Sequence, residues 1–491
     1  MPNKINPAFS AKPLDVLIIG AGISGIGCAC YLQRELPGKS WEILEARATF
    51  GGTWDLFKYP GIRSDSDLYT FSYDFKPWTS PNAIASADEI MSYLEEAAEE
   101  YDVLERISYN RKVVSASWDS DDALWTVTME NSETGERETR KCRWLFGATG
   151  YYDYDEGFRP VFESEETFKG PKIHPQFWPE DFDYSGKRVA VIGSGATAVT
   201  LVPSMTDEAA HVVQVQRTPT YIMPRPKQDK LALWLNKWLP TKLAYGLTRW
   251  KNTRLQRWFY LYCQKFPDRA RRLIRKANRR HLPADYPVHV HFKPPYNPWD
   301  QRLCAVPDAD FFRDISAGRA SIVTGHIEKF TPTGIQMKSG EHVDADAIII
   351  ATGLKLKMMG GIDFEVDGKP VDVSEHLVFK GLMLDGVPNY SFAIGYTNSS
   401  WTLKVGLVCG YLCKLLAEMD RQGKKICIPK RPEGEIVTRP LMDFGAGYVQ
   451  RAVISMPKQG EAYPWEMSSD YTSDIALFKR GKVIDPALEF S

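Results

Sequence analysis

The feature that most constrains this chain is a unit that occurs twice: an apolar strand, a glycine turn, a helix and a second strand. Asp15 to Ile19 is a nearly unbroken apolar run, the pattern of a strand buried on both faces. It leads into Gly20-Ala-Gly22-Ile-Ser-Gly25, then a helical pattern from Ile26 to Arg34 and a strand from Trp41 to Glu45. The unit recurs as Arg188 to Ile192, Gly193-Ser-Gly195-Ala-Thr-Ala198, and a strand from His211 to Gln216 that runs into Arg217. A single glycine motif of this kind is weak, whereas two, each set between a strand and a helix, are the dinucleotide fingerprint in its required context. The expected fold is α/β, with two Rossmann-like dinucleotide-binding domains. A chain of 491 residues is too long for one ordinary core, which agrees.

Two further segments match each other, Trp144 to Gly150 and Asp346 to Gly353, each a buried-strand pattern that ends on Ala-Thr-Gly. A β-ribbon is expected before each: Ala123–Met129 with Glu138–Arg143, and Ile322–Phe330 with Ile335–Val343. Between Leu231 and Arg280 basic residues crowd around Trp234, Trp238, Trp250 and Trp258, and Asp268 is the only acid. This reads as a helical insertion, at about 225–300, in the second nucleotide domain. Its basic side is either a plain solvated face or a peripheral contact with a membrane or a partner. The expected layout is a first part of one nucleotide domain over 1–150, the second domain over 151–385, and the remainder of the first over 386–491.

Glycines at 20, 22 and 25 let the backbone turn tightly and approach a pyrophosphate at a helix N-terminus. Glu45, ending the second strand, can accept both hydroxyls of an adenosine ribose and would repel a 2′-phosphate, so the first site should hold FAD or NAD. Arg217 stands where the second unit would carry that acid. A guanidinium matches a 2′-phosphate, with Thr218 beside it as a second contact, which points to NADPH rather than NADH. Ala198 in place of the third glycine still permits close helix–strand packing.

The eight cysteines are scattered, with no C-x-x-C pair, which offers neither a disulfide framework nor a redox-active dithiol. Electrons from a reduced flavin would then pass elsewhere, and dioxygen is the obvious acceptor. His289-Val-His291 would point two imidazoles the same way on a strand, but no third ligand lies near in sequence, so no metal site is expected. A net charge of −1 argues against a general nucleic-acid or membrane role. Met1 to Leu14 carries three prolines and no apolar core of a signal peptide, and no apolar run approaches the ~20 residues of a membrane span. The chain is expected to be cytoplasmic.

Just before the second unit lies Phe168-Lys-Gly170-Pro-Lys-Ile-His174-Pro-Gln-Phe-Trp178-Pro179. This resembles, at every fixed position, the F-x-G-x-x-x-H-x-x-x-W-P fingerprint of Baeyer–Villiger monooxygenases. The likeness extends over nearly the whole chain: both nucleotide units, the Gly51-Gly52-Thr53-Trp54 turn, Tyr59-Pro60-Gly61-Ile62-Arg63, and Gly395-Tyr396-Thr397-Asn398. It is closest to the ethionamide-activating subgroup, which also shows the Asn297-Pro298-Trp299-Asp300-Gln301-Arg302 run.

The resemblance implies FAD and NADPH as cofactors, with Gly52, Thr53 and Trp54 added to the FAD site. It implies a cycle in which NADPH reduces FAD, the flavin adds O2, and a flavin peroxide attacks a ketone to give an ester or lactone; family members often oxidise sulfides as well. Arg302 matches the family's active-site arginine, a cation beside the oxygenating anion, and Asp65 matches the carboxylate that orients it near the cofactors. His174 looks like a linker residue rather than a base. Two alternatives stay open: a flavin monooxygenase that oxygenates nitrogen or sulfur, and a non-catalytic sensor that binds both nucleotides. Gln301 stands where many members carry a lysine that helps hold the 2′-phosphate, which leaves coenzyme choice resting on Arg217. Trp401, Tyr73 and Phe75 are candidates for the substrate pocket lining.

Overall fold

The computed structural model describes residues 12–434, 436–442 and 444–491. Most of the N-terminal stretch read above for targeting, residues 1–11, lies outside them. The first unit forms as its pattern dictates. Leu14–Ile19 is a strand between Trp41–Leu44 and Arg137–Gly147, parallel to both, with Val16 opposite Trp41 on one side and Trp144 on the other. Because side chains alternate along a strand, Val16 and Ile18 pack toward helix Ile23–Glu35, while Leu17 and Ile19 pack toward Trp125 and Val127. Both faces are covered, which is why the run has no polar alternation.

This strand belongs to a nine-stranded sheet. The ribbon Leu124–Asn131 pairs antiparallel with Arg137–Gly147, Thr126 opposite Lys141, close to the expected pairing. Tyr390–Phe392 then adds in parallel beside Arg137–Gly147, and helix Trp401–Gln422 packs under the sheet against helix Ile23–Glu35. Asp363–Val366 also joins this sheet, parallel to Arg111–Asp119, although it falls inside the 151–385 range expected for the second domain.

The second unit builds a five-stranded parallel sheet, in which Arg188–Ile192 lies between His211–Gln216 and Ala347–Ile350. Ala320–Thr324 is its edge, parallel to His211–Gln216. The second ribbon is therefore smaller than expected. Ile322 and Val323 belong to the parallel sheet, and only Ile327–Thr331 pairs with Gly334–Met337, backed by His342–Asp344. Strand pattern alone does not tell a hairpin strand from a sheet edge that continues into a hairpin.

The insertion comprises helices Lys230–Trp238, Thr241–Lys265 and Pro267–Arg279. Strands Tyr221–Arg225 and Leu303–Pro307, parallel neighbours, close its base. The chain crosses between the two sheets twice, at Tyr152–Gly157 and Leu354–Leu356, and these crossings pair antiparallel. No helix among the described residues is long and apolar enough to cross a membrane.

Candidate active site

The first glycine turn is shaped by contact. Gly20 has φ +102°, and a Cβ there would lie 2.6 Å from the Ala148 carbonyl oxygen; one on Gly25 would lie 1.9 Å from the Gly20 oxygen. The turn and helix thus close on each other only without side chains. Gly22, the N-cap of helix Ile23–Glu35, has no side chain to cap the helix amides. It faces Gly52, whose Cα lies 3.6 Å from where a Gly22 Cβ would stand. Two glycine loops and an uncapped helix start thus leave a backbone cradle that a pyrophosphate fits.

The cradle opens into a cavity of about 710 Å³ whose wall includes Glu45, Arg111 and Glu130 as well as Asp65, Arg302 and Trp401. That volume suits an extended dinucleotide. Glu45 is buried, and its carboxylate accepts from Ala21 N at 2.7 Å and Arg47 N at 3.0 Å. Burial pushes its pKa up and these bonds pull against that, leaving it raised above the ordinary carboxylate value. The residue lines the cavity. Arg47 pairs with Asp55 at 2.7 Å and also reaches the Gly52 carbonyl at 3.4 Å, bracing the second glycine loop.

In the same cavity wall Arg302, just before strand Leu303–Pro307, donates from Nη1 to Asp65 Oδ2 at 3.2 Å. The two residues are 237 apart in sequence, so this bond ties the insertion base to the first domain. The pair is 38% and 28% exposed, open to the cavity. Burial draws the Arg302 pKa down, but the Asp65 carboxylate beside it outweighs that, and the guanidinium's pKa stands above its ordinary value. Burial, and then the neighbouring Tyr448, push Tyr152 up to about 12; Tyr448 also rises to about 12, mainly by burial. These phenols stay protonated. Asp65 is free for Arg302 because Asp67, not Asp65, caps helix Leu68–Phe71 through Tyr69 N at 3.1 Å.

The second turn repeats the construction. Gly193, φ +146°, would place a Cβ 2.2 Å from the Ala351 oxygen, whereas a Cβ at Gly195 would meet nothing within 4 Å. Gly195 N-caps helix Ala196–Met205 without a side-chain bond, and Ala198 is fully buried behind it. Arg217 is exposed after its strand, and the Thr218 carbonyl accepts from Ser194 Oγ at 2.8 Å, fixing that loop against the glycine turn. Ala196, Thr197, Val199 and Thr200 of this helix line the large cavity, so both units face one space.

Of the residues singled out by sequence, Gly20, Gly22, Glu45, Gly52, Thr53, Trp54, Asp65 and Arg302 meet around that cavity. Gly25 and Ala198 lie behind it as packing positions, and Gly193, Gly195, Arg217 and Thr218 stand outside its wall. Trp401 lines it, donating to Ser24 Oγ at 2.9 Å and packing on Tyr151 with ring centroids 5.2 Å apart. Tyr73 and Phe75 do not. They pack behind helix Ile23–Glu35, stacked 5.0 Å apart, with the Tyr73 hydroxyl on the Ile23 carbonyl at 2.6 Å. His289 and His291 fall in a four-residue helix, Val288–His291, rather than on a strand, and His291 Nδ1 meets Thr324 Oγ1 at 2.8 Å. His174 Nε2 lies 3.3 Å from the Gly353 carbonyl oxygen, against the second crossing. Sequence reasoning missed Tyr151, Tyr152 and Tyr448. The first two follow Ala-Thr-Gly directly and were legible as cavity residues; Tyr448 gave no local signal.

Comparison with known proteins agrees with this construction. A family model for flavin-binding monooxygenase-like proteins matches residues 14–358. The chain belongs to this family. It is 48% identical over 479 residues to the FAD-containing monooxygenase EthA of Mycobacterium tuberculosis (strain ATCC 25618 / H37Rv), covering 97% of this chain and 98% of that one. It is 46% identical over 481 residues to the probable FAD-binding monooxygenase AlmA of Acinetobacter baylyi (strain ATCC 33305 / BD413 / ADP1), covering 98% and 96%. Among solved structures, an open form of cyclohexanone monooxygenase superposes with a TM-score of 0.76 at 19% identity, covering 98% of this chain and all of that one. At that identity the likeness is one of fold.

Proposed function

We propose that this flavin monooxygenase is a Baeyer–Villiger enzyme that uses FAD, NADPH and O2 to convert ketones to esters or lactones, and that it also oxidises sulfides. FAD belongs in the cavity over the first glycine turn, its ribose on Glu45 and its pyrophosphate on the Gly20–Gly25 turn and the Gly52-Thr53-Trp54 loop. NADPH belongs on the second turn, with Arg217 and Thr218 at its 2′-phosphate. Bound FAD, reduced by NADPH, supplies the redox chemistry that activates dioxygen.

The observation that carries the reading is the Arg302–Asp65 pair in the wall of that cavity. Attack by an anionic oxygen on a ketone carbonyl needs a fixed positive charge beside it, in a place where water is largely excluded. Arg302 supplies that charge in every protonation state relevant to an enzyme. Asp65 holds it in place, and Tyr152 and Tyr448 keep their protons beside it. Trp401 and Tyr151, ring centroids 5.2 Å apart, add apolar surface to the same cavity wall.

The test is a panel of linear, cyclic and aryl ketones together with thioethers, supplied with NADPH and air and read by product mass. A gain of one oxygen on at least one ketone is expected. Oxygen transfer only to nitrogen or sulfur would replace the reading by its nearest alternative. Coenzyme consumption with no organic product on any member of the panel would remove it.

A further inference from the structure

The insertion helices turn an apolar face outward. Of the nineteen large apolar side chains exposed among the described residues, twelve lie between Leu231 and Leu273. Trp234, Trp238, Trp250 and Trp258 are 58%, 66%, 59% and 60% exposed. On helix Thr241–Lys265 the exposed positions Leu243, Leu247, Trp250, Arg254, Trp258 and Leu261 recur in steps of three and four, so they share one face. The opposite face is the packed one. Ala244, Tyr245, Thr248 and Cys263 are buried, and Arg249 donates to the carbonyls of Tyr69, Thr70 and Ser72. A contiguous outward stripe of this size on a water-facing helix marks an interaction surface.

The charge identifies the occupant. Residues 231–280 hold fourteen Lys and Arg and one acid, a net charge of 14 − 1 = +13, in a chain whose total is −1. The cations are set among the aromatics: Arg254 lies 4.6 Å over the Trp250 ring and Lys237 5.4 Å from the Trp238 ring. Arg249 is turned inward, and Lys251 and Arg257 pair with Asp229 and Asp470, but the remaining cations still outnumber the single acid, so two copies meeting symmetrically through this face would set like charge against like. A nucleic acid would leave the tryptophan and leucine stripe unmatched. An anionic bilayer surface satisfies both components, since it accepts indole rings at headgroup depth and attracts cations to lipid phosphates.

We propose that the outer face of the insertion helices docks on an anionic lipid surface, with the four exposed tryptophans at headgroup depth and the surrounding Arg and Lys on lipid phosphates. The docking is peripheral, since none of these helices can span a membrane.

The test is co-sedimentation of the holoenzyme with vesicles of phosphatidylcholine, with and without phosphatidylglycerol, at about 0.1 M salt, where the Debye length is ~10 Å. Wild type should partition at least ~10-fold more strongly onto the phosphatidylglycerol vesicles. Replacing Trp234, Trp238, Trp250 and Trp258 together by Ser should lower that partition at least ~10-fold while flavin content and NADPH oxidation stay unchanged. Replacing Arg269, Arg272 and Lys276 by Gln should narrow the gap between the two vesicle types. Equal recovery of wild type and both variants on the anionic vesicles would overturn the proposal. So would a lipid-free oligomer that the tryptophan variant dissociates, or tight retention on duplex DNA that the charge variant abolishes.

Discussion

Replacing Arg302 by Ala separates the two halves of the proposed reaction, because the proposed oxygen transfer uses its charge, whereas the proposed coenzyme contacts, Arg217 and Thr218, stand outside the cavity wall. The cost to folding is small. Arg302 and Asp65 are 38% and 28% exposed, and ion pairs with that access to solvent contribute ~0.2–1 kcal/mol. The thermal midpoint should therefore move little. The cost to chemistry is large: removing one group that stabilises developing charge typically lowers the step it serves ~100- to 1000-fold. Ester formation should fall by about that factor, with NADPH still oxidised and hydrogen peroxide released in place of product. Asp65→Asn should lose less, since it leaves the cation and loosens only its 3.2 Å restraint. The assay pairs anaerobic flavin reduction by stopped flow with product and peroxide yields in air. If Arg302→Ala still converts a good ketone at near wild-type yield, the cation is not where oxygen transfer occurs. If flavin reduction and oxygenation fall together, the residue serves the fold or the coenzyme instead.

Arg217→Ala should weaken NADPH binding ~10- to 100-fold and leave NADH nearly unchanged, as loss of one charge-assisted bond of ~1.5–3 kcal/mol requires; equal losses in coenzyme titrations would show that it does not read the phosphate. Gly25→Ala forces a methyl to 1.9 Å from the Gly20 oxygen, so the turn must open, at a cost of ~1–3 kcal/mol and with loss of bound flavin; flavin absorbance and melting of the purified variant measure both. Heat extraction of the wild type should release FAD, since FMN would leave Glu45 without a ribose to hold. The pKa of His376 is raised, first by its hydrogen bond to Asp385, so its protonated form stabilises the fold. That contribution is complete below about pH 6.5 and is lost as pH rises through the higher folded value. His376→Asn should flatten that part of the melting-temperature profile, and an unchanged pH slope would count against the assignment.

The two nucleotide units were legible because every constraint on them is local. A buried strand needs an unbroken apolar run, and the turn after it needs residues without a Cβ, so Leu14–Ile19 with Gly20, and Arg188–Ile192 with Gly193, announce themselves within a dozen residues. Contacts across the chain carry no such signature. Tyr448 comes beside Arg302 only because helix Gly447–Ala452, 146 positions later, folds back against it. Tyr73 and Phe75 mislead for the complementary reason: an aromatic near a motif is apolar on any face, and its neighbours decide whether it meets a ligand or the back of a helix. The short segment at His289 is of the same kind, since four residues are too few for a helical period to be told from a strand's.

The resemblance at Phe168–Pro179 matches a stretch that contributes nothing to the cavity wall, and the structure gives a physical reason for it to matter. His174 sits where the two crossings run together, with one ring nitrogen near the Gly353 carbonyl and the other accepting from Gln176 N at 3.2 Å. Gln176 in turn donates to the carbonyls of Asp153 and Tyr154 on the first crossing, at 2.9 and 3.0 Å. A Cβ on Gly157 would strike the imidazole at 2.2 Å, so the ring is clamped from the side as well. The segment thus fixes how the second sheet is set against the first. The helix start of the second unit, at Ala196 and Thr197, shares with Arg302 and Asp65 the wall of one cavity. We propose on these contacts that His174 is a positioning residue and not a base: a residue can serve oxygenation through such geometry without touching either cofactor.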